Sequence, residues 1–245
     1  MDNETIRALA ELNNRFYREN HESFSQSRHA SWPGWERVCT YMPKGENACR
    51  VLDVASGNLR FERHLTETFP SAEFTFTCID ACVEFDHDVE GVRFVNRDVI
   101  GSLLGDDFGV AGDGDYDAAV SFGFMHHIPS AELRKSFARR LVSMVKPGGI
   151  VALSFWQFMN EPKLAQQAVR ITEEFQRAHA LALEPDDYLL GWNGKQGAYR
   201  YCHHFTSAEV DNIALQVSDI CEVVDRFSAD GRTGALNGYL VLQTK

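Results

Sequence analysis

The clearest structural pattern in this chain is Val51-Leu-Asp-Val-Ala-Ser-Gly-Asn-Leu-Arg-Phe-Glu-Arg-His-Leu65. Its first four residues predict a short buried strand, residues 55–58 predict a tight turn, and the apolar positions that follow predict an amphipathic helix. A strand that turns directly into a helix leaves backbone N–H groups free at the helix start, where ligands commonly bind. Asp53 falls near the carboxyl end of this strand, the edge at which open α/β sheets bind ligands. The stretch therefore predicts a binding site around this turn.

Strands and helices alternate along the rest of the chain. Further strands are predicted at 74–79, 92–95, 116–122 and 150–156, and helices at 2–20, 35–42, 130–145, 164–183 and 206–217, with one helical turn at 102–104. Pro147-Gly148-Gly149 is predicted to end the helix that Ser130 caps, and residues 186–201 are predicted as an aromatic loop. Residues 220–227 and 238–242 predict an antiparallel pair of strands. The alternation predicts a three-layer, Rossmann-like, doubly wound α/β fold with a mostly parallel sheet.

Composition limits the classes of function. The chain has 245 residues, which fit a single domain spanning 1–245, and a formal net charge of −11, which argues against a large nucleic-acid footprint for the chain alone. Its six cysteines form no C-x-x-C pair and are typical of reduced thiols. The N-terminus is unlike a signal peptide, and no apolar run approaches the roughly 18 residues of a membrane-spanning helix. A cytoplasmic protein without membrane attachment is predicted.

Two cofactor classes compete for the turn. A dinucleotide fingerprint needs three glycines, and in this register the three positions are Ala55, Gly57 and Arg60, so a bulky arginine stands where close packing is required. S-adenosyl-L-methionine has no phosphate and needs a small-residue turn with carboxylates around it. Asp80 follows the second strand and can accept from the ribose hydroxyls. Asp98 follows the third strand and can accept from the adenine amine, with the Val99 N–H beside the ring, while Asp53 can hold the methionine ammonium. S-adenosyl-L-methionine is therefore favoured.

The chain resembles the class I S-adenosylmethionine-dependent methyltransferases over roughly residues 51–156. Residues 51–58 are similar to their first motif, with Ala55 and Leu59 where glycines are usual, and Asp80, 96–98, 116–122 and 146–149 match the later motifs in order and spacing. The resemblance implies a seven-stranded sheet whose last strand is antiparallel. It also implies a set of cofactor-binding residues: Tyr17, Arg28, Asp53, Ala55, Ser56, Gly57, Asn58, Asp80, Ala81, Asp98, Val99, Ser121, Phe122 and Gly123.

A narrower resemblance lies outside this core. The N-terminal signature of the tRNA wobble-uridine methyltransferases, which esterify a carboxymethyl group, resembles residues 16–17, 24–28 and 32–34. Later segments of that family are similar to residues 125–128, 188–192 and 199–205. Cys202 stands in place of a usual aromatic residue. The resemblance implies that an N-terminal helical lid (1–44) and an inserted substrate-side segment (159–205) border the acceptor pocket. The substrate-binding residues it implies are Trp32, His126, Trp192, Tyr201 and His203.

The acceptor is left open between two kinds of chemistry. A carboxylate is already ionised, needs no general base and needs cations to hold it, for which Arg28 and Arg200 are the candidates. A hydroxyl or amine needs a base, for which His127 or its neighbour His126 is the candidate. Catalytic roles are thus predicted for His127, Arg28 and Arg200.

Several alternatives follow for substrate and partners. The acceptor is a modified tRNA base, with a small partner subunit supplying basic surface, or a small acidic or aromatic metabolite; a non-catalytic cofactor-binding module is the third hypothesis. No metal is predicted, because the adjacent residues His203 and His204 beside Cys202 do not converge like spaced ligands.

Overall fold

The computed structural model describes residues 1–27, 30–43, 48–85, 89–105, 116–179 and 182–245. Its main feature is a seven-stranded sheet with the strand order β3-β2-β1-β4-β5-β9-β8, and a separate two-stranded sheet is formed by β6 and β7. The strands are β1 Cys49–Val54, β2 Phe74–Asp80, β3 Val92–Asn96, β4 Tyr116–Ser121, β5 Val145–Trp156, β6 Asp187–Trp192, β7 Lys195–His203, β8 Cys221–Ala229 and β9 Asn237–Thr244. The helices are α1 Asn3–Gln26, α2 Pro33–Cys39, α3 Arg60–Thr68, α4 Val99–Leu104, α5 Ala131–Ser143, α6 Pro162–Ala178 and α7 Ser207–Gln216.

Strand direction agrees with the predicted fold. The pairs β1–β2, β1–β4, β2–β3 and β4–β5 are parallel, whereas β9 runs antiparallel to both of its neighbours, β5 and β8. Among the strands of the described residues, β9, the last, is therefore the one that runs against the rest of this sheet. The Rossmann-like architecture with an antiparallel last strand is confirmed.

Both faces of the sheet are covered, which gives three layers. Side chains alternate along β1, so that Leu52 and Val54 join an apolar cluster with α4, α5 and α7, whereas Val51 joins a second cluster with α2 and α3. Strands buried on both faces read as continuous apolar runs, which explains why β1, β4 and β5 were recognisable from the sequence.

The predicted start of β5 was wrong. Pro147-Gly148-Gly149 does not precede the strand but lies inside it, because the β4–β5 register shifts between the pairs Tyr116–Val145 and Ala118–Ile150. A Cβ built on Gly149 would lie 2.7 Å from the carbonyl oxygen of Asp117, so this bulge requires glycine. The preceding helix, α5, is capped by Ser130 as predicted but ends earlier, at Ser143.

The prediction of an aromatic loop at 186–201 was also wrong. These residues form a hairpin in which β6 and β7 pair antiparallel, with Leu190 opposite Arg200. The two turn residues Asn193 and Gly194 both have positive φ, 49° and 68°. Asn-Gly with this geometry is the preferred two-residue hairpin connection, a signal in the sequence that the aromatic residues obscured.

The N-terminal helix is longer than its predicted extent of 2–20, and α6 is shorter than the predicted 164–183. Helix α1 begins after Asp2, which caps it, and continues to Gln26 because its last turns pack against the hairpin: the Phe16 and Phe24 rings lie 6.0 and 5.5 Å from Trp192. Leu9 and Leu12 complete this contact from the same helix, in one apolar cluster with Leu189 of the hairpin. The helix and the hairpin thus form one wall at the carboxyl edge of the sheet.

In the part of the chain that the structure describes, no helix combines the length and the apolar character needed to cross a lipid bilayer.

Candidate active site

The turn after β1 is held in place by the end of β2. The Asp80 carboxylate accepts hydrogen bonds from the Gly57 N–H at 2.9 Å and the Cys82 N–H at 2.8 Å. Ala55 and Leu59 have φ values of 65° and 55°, the left-handed region that favours glycine. The two positions where glycines are usual in the resembled family are therefore strained, at roughly 1–2 kcal/mol per non-glycine residue. The backbone path of the glycine turn is kept although the glycines are not.

A cavity of about 340 Å³ opens above this turn, a volume within the range of small-molecule sites. It lies at the carboxyl ends of β1 to β4 and is closed by α1, the start of α2, the β7 strand and the β8–β9 turn. The predicted cofactor-binding residues that line it are Tyr17, Ala55, Ser56, Gly57, Asn58, Asp80, Ala81, Asp98, Val99, Phe122 and Gly123. The predicted acceptor or catalytic residues that line it are Trp32, His126, His127 and Arg200.

Five predicted site residues do not line this cavity, namely Asp53, Ser121, Trp192, Tyr201 and His203, and Arg28 lies outside the described residues. The Ser121 hydroxyl donates to the Val54 carbonyl at 2.7 Å and so ties β4 to β1. Trp192 stands behind the cavity wall, with its indole N–H donating to the Ser23 hydroxyl at 3.0 Å.

Asp53 forms a buried acidic pair with Glu62 of α3. Asp53 is 3% exposed and Glu62 is fully buried, and the Cys78 thiol donates to Glu62 at 3.1 Å. Burial, followed by the neighbouring Glu62 carboxyl, raises the pKa of Asp53 well above its usual range, and burial also raises the pKa of Glu62. This pair lies beneath the turn, so its contact with a ligand in the cavity would be indirect.

His203 lies in a buried network behind the hairpin. Its Nδ1 is 2.8 Å from Asp187 and its Nε2 is 2.9 Å from Glu209, and the Tyr201 hydroxyl donates to the same Asp187 oxygen at 2.7 Å. Burial lowers the pKa of His203, but the two carboxylates outweigh burial and leave it raised; the pKa of Glu209 falls to about 2. The network joins the hairpin to the start of α7.

His127 is fixed by two tyrosines. Its Nδ1 lies 2.9 Å from the Tyr201 carbonyl oxygen, and its Nε2 lies 2.7 Å from the Tyr17 hydroxyl. The Asn13 Nδ2 lies 3.2 Å from the same Nδ1. A carbonyl oxygen only accepts and an amide N–H only donates, so the Tyr201 contact calls for a proton on Nδ1, whereas the Asn13 contact calls for a proton on Nε2. In either case both ring nitrogens have partners, and the ring is held beside the Tyr17 hydroxyl at the cavity wall.

Asn13 is a site residue that the sequence interpretation missed. Its Nδ2 donates to the Tyr201 carbonyl at 3.2 Å and its Oδ1 accepts from the Tyr201 N–H at 2.7 Å, so one side chain pairs with both backbone groups of a β7 residue. Asn13 also lines the cavity and is 5% exposed. The only sequence signal is an amide on the apolar face of a helix.

Arg200 is a cation without a counterion among the described residues. It is 5% exposed, and its guanidinium carbon lies 5.2 to 5.5 Å from the ring centroids of Phe16, Trp156 and Trp192. Its Nε and Nη1 atoms are buried with no hydrogen-bond partner in this part of the chain. Cation–π contacts compensate some of the desolvation, yet a buried charge of this kind is a strong site for an anion.

The donor atoms of His126, His127 and Cys202 lie within 4.8 Å of one another, and all three residues are buried. The sequence interpretation considered Cys202 with His203 and His204 instead and did not foresee this group. Both ring nitrogens of His127 already contact tyrosines, so a metal ion there would have to replace those contacts. The expectation of no metal stays a prediction.

Sequence comparison finds two relatives with the same activity in their names. The chain is 26% identical over 134 residues to a tRNA (carboxymethyluridine(34)-5-O)-methyltransferase of Arabidopsis thaliana, and this match covers 54% of this chain and 30% of that protein. It is 25% identical over 161 residues to the tRNA (carboxymethyluridine(34)-5-O)-methyltransferase ALKBH8 of Macaca fascicularis, which covers 65% of this chain and 22% of that protein. The chain thus spans less than a third of the length of these curated relatives. No family model matches it.

Comparison with solved structures decides the fold family. The chain superposes with a TM-score of 0.63 on the 1,6-didemethyltoxoflavin-N1-methyltransferase of Burkholderia thailandensis, which holds S-adenosylhomocysteine; the match covers 98% of this chain and 90% of that one at 15% identity. The chain has the fold of the S-adenosylmethionine-dependent methyltransferases. The shared fold and the two sequence relatives together confirm the predicted resemblance to the methyltransferases. They support the predicted methyltransferase class and S-adenosylmethionine as the cofactor.

The residues of this methyltransferase fold suit the cofactor. The Gly57 turn has open space above it, since a Cβ built on Gly57 would meet no atom within 4 Å. Asp80 uses each carboxylate oxygen once for a backbone N–H, which leaves lone pairs for two ribose hydroxyls. Asp98 caps α4, because its Oδ1 accepts from the Ile100 N–H at 3.0 Å. Its Oδ2 accepts from the Asn14 Nδ2 at 3.3 Å. These residues would hold the nucleoside, and the turn would hold the amino-acid tail.

Proposed function

We propose that this protein is a carboxylate O-methyltransferase that uses S-adenosylmethionine, and that its acceptor is a carboxymethyl group on a tRNA wobble uridine. The observation that carries the proposal is Arg200, a buried cation in the cavity with no carboxylate partner among the residues described. A carboxylate acceptor would supply the missing counterion.

The chemistry of a carboxylate agrees with the histidine geometry. When bound, the cofactor supplies a methyl group on a sulfonium sulfur. A carboxylate is ionised at neutral pH and gives up no proton when it is methylated, so the site needs no general base. His127 is engaged through both nitrogens, which suits a positioning role. Arg200 would orient the acceptor, and such positioning can supply up to about 7–11 kcal/mol of the barrier.

The tRNA part of the proposal is supported by sequence similarity. Both relatives carry the carboxymethyluridine activity in their names. Trp32, His126 and Arg200 belong to the segments that look like this family, and all three line the cavity. Aromatic walls of this kind are how proteins recognise unstacked bases. The net charge of −11 favours a partner subunit that supplies basic surface.

The test is methyl transfer from labelled S-adenosylmethionine to tRNA that carries 5-carboxymethyluridine at position 34. We expect a labelled methyl ester that mild base hydrolyses to methanol, whereas an N-methyl or ether product is stable to base. Arg200→Gln should lower kcat/KM for the acceptor by about 30-fold or more, because it leaves a charge pair unmade. Arg170→Gln, which alters an exposed arginine of α6, is the control and should retain activity. A base-stable product would refute the proposal.

A small acidic metabolite is the second candidate acceptor, because the formal net charge of −11 argues against binding of tRNA by the chain alone. It would use the same Arg200 subsite and give the same base-labile ester. Labelling of a metabolite extract but not of tRNA, with and without candidate partner subunits, would select it. Absence of transfer to any acceptor, despite tight cofactor binding, would select the third hypothesis, a non-catalytic binding module.

A further inference from the structure

Arg60 is a further cation that lines the cavity, half-buried, and neither the acceptor subsite nor the nucleoside contacts use it. It is the first residue of α3 and follows directly on the turn at 55–59. Its guanidinium carbon lies 5.4 Å from the ring centroids of both Trp32 and Trp35, so it occupies the side of the cavity formed by α2. Arg200 instead packs against Trp156, on the side formed by the hairpin.

The hydrogen bonds of Arg60 leave part of its guanidinium unused. Nε donates to the Asn58 side-chain oxygen at 3.2 Å and Nη1 donates to the Ala30 carbonyl at 3.1 Å. Within the described ranges, Nη2 has no hydrogen bond and no carboxylate lies within 4.0 Å of this arginine. Burial lowers the pKa of Arg60 to about 10, yet the side chain remains cationic at neutral pH.

The other charged groups of the cavity explain why a cation is needed here. Asp80, Asp98 and Asp230 line it together with Arg97 and Arg200, and the chain has a formal net charge of −11. Because the Asp80 carboxylate accepts from the Gly57 N–H, a ligand carboxylate placed on the turn would be repelled by Asp80 unless a cation lay beside it. Arg60 is the cation closest in sequence to the turn, and the start of α3 adds the positive end of a helix dipole.

We propose that Arg60 binds the carboxylate of the cofactor's amino-acid tail, while Arg200 is reserved for the acceptor. This assignment rests on the proposed use of S-adenosylmethionine but not on the identity of the acceptor. It gives the two arginines separate ligands, so that an anionic acceptor and an anionic cofactor tail do not compete for one site.

The experiment compares two ligands that differ only in the carboxylate, S-adenosylmethionine and its decarboxylated form, by calorimetry with the full chain. We expect the wild-type protein to bind S-adenosylmethionine about 10-fold tighter or more, as a charge-assisted contact predicts. Arg60→Gln should abolish this preference by weakening S-adenosylmethionine alone, and Arg60→Lys should recover part of it. Arg139→Gln, which alters an exposed ion pair with Asp219, is the control and should retain the preference.

Three outcomes would overturn the assignment. An equal loss of affinity for both ligands in Arg60→Gln means that the arginine only packs against Trp32 and Trp35. An unchanged preference means that the carboxylate binds elsewhere, and weakened methyl transfer with unchanged cofactor binding means that Arg60 serves the acceptor. If the wild-type protein binds neither ligand, the proposed cofactor fails together with this assignment, whereas failure of the carboxylate acceptor leaves the binding test intact.

Discussion

The Tyr17 hydroxyl lies 2.7 Å from Nε2 of His127 and so joins the N-terminal helix to the loop that follows β4. His127 lines the cavity, and its other ring nitrogen, Nδ1, lies 2.9 Å from the Tyr201 carbonyl oxygen, so both nitrogens have partners. A histidine held in this way orients the wall of a site more readily than it removes a proton from an acceptor.

This arrangement predicts how the rate depends on pH. If the acceptor is a carboxylate, His127→Gln should lower kcat by only about 10-fold, below the usual range of general-base loss, and the profile of kcat against pH should stay flat between pH 6 and 9 in both proteins. Initial rates at saturating cofactor measure this. A rate that rises with pH in the wild type and becomes flat in the variant would instead identify His127 as a base. Tyr17→Phe is the companion variant and should show the same flat profile.

Asn13 should contribute to stability as well as to the site. Asn13→Ala removes the side-chain acceptor of the buried Tyr201 N–H, whereas the Tyr201 carbonyl keeps its contact with His127. Leaving one buried group unsatisfied costs about 1–3 kcal/mol. We expect the free energy of unfolding in urea to fall by that amount and the cofactor affinity to fall with it. Asn3→Ala, at an exposed position of the same helix, should change neither. Unchanged stability of Asn13→Ala would mean that water replaces the amide.

Strand geometry explains which site residues could be predicted. Side chains alternate along a strand, so Arg200 faces the cavity whereas its neighbour Tyr201 and, two residues further, His203 belong to the network with Asp187 behind it. The family-like run of aromatic and basic residues gave no register, so Tyr201 and His203 were predicted to bind the substrate beside a catalytic Arg200. The predicted role of Arg200, to hold an anionic acceptor, depended on its charge. Its burial supports that role.

The turn and its aspartates were predictable because their signals are local. Asp80 ends β2, which was recognised by its alternating apolar and polar residues, and Asp98 follows the end of β3. Both aspartates line the cavity. Asn13, in contrast, contacts Tyr201 across 188 residues of sequence, and no local pattern encodes such a partner. The place of Asp53 near the carboxyl end of β1 was predicted from the sequence, but its neighbour was not. Nothing in the sequence indicated that Glu62 of α3 would lie beside it.

The Asp53–Glu62 pair predicts a specific pH dependence of stability. Both carboxyl groups have a raised pKa in the folded protein, mainly through burial. The folded state therefore binds more protons than the unfolded state, and the free energy of unfolding should fall as pH rises from about 4, the usual carboxyl value, through the raised folded values. Glu62→Gln should flatten this slope in urea titrations at several pH values. Glu67→Gln, exposed on the same helix, should leave the slope unchanged, and an unaltered slope in Glu62→Gln would refute the role of the pair.

Asp80 should control cofactor binding through the turn. Asp80→Asn replaces one acceptor oxygen by an NH₂ group that faces a backbone N–H, either that of Gly57 or that of Cys82. We expect cofactor affinity to fall by about 10- to 100-fold, since one contact becomes repulsive and one ribose contact is weakened. Burial raises the pKa of Asp80, so wild-type affinity should also decline at acidic pH as the carboxylate is protonated, and this decline should disappear in Asp80→Asn. Calorimetry with S-adenosylhomocysteine at pH 5 and pH 8 measures both effects, with Asp211→Asn, an exposed change on α7, as the control. Equal affinities of the wild type and Asp80→Asn at pH 8 would remove Asp80 from the cofactor site.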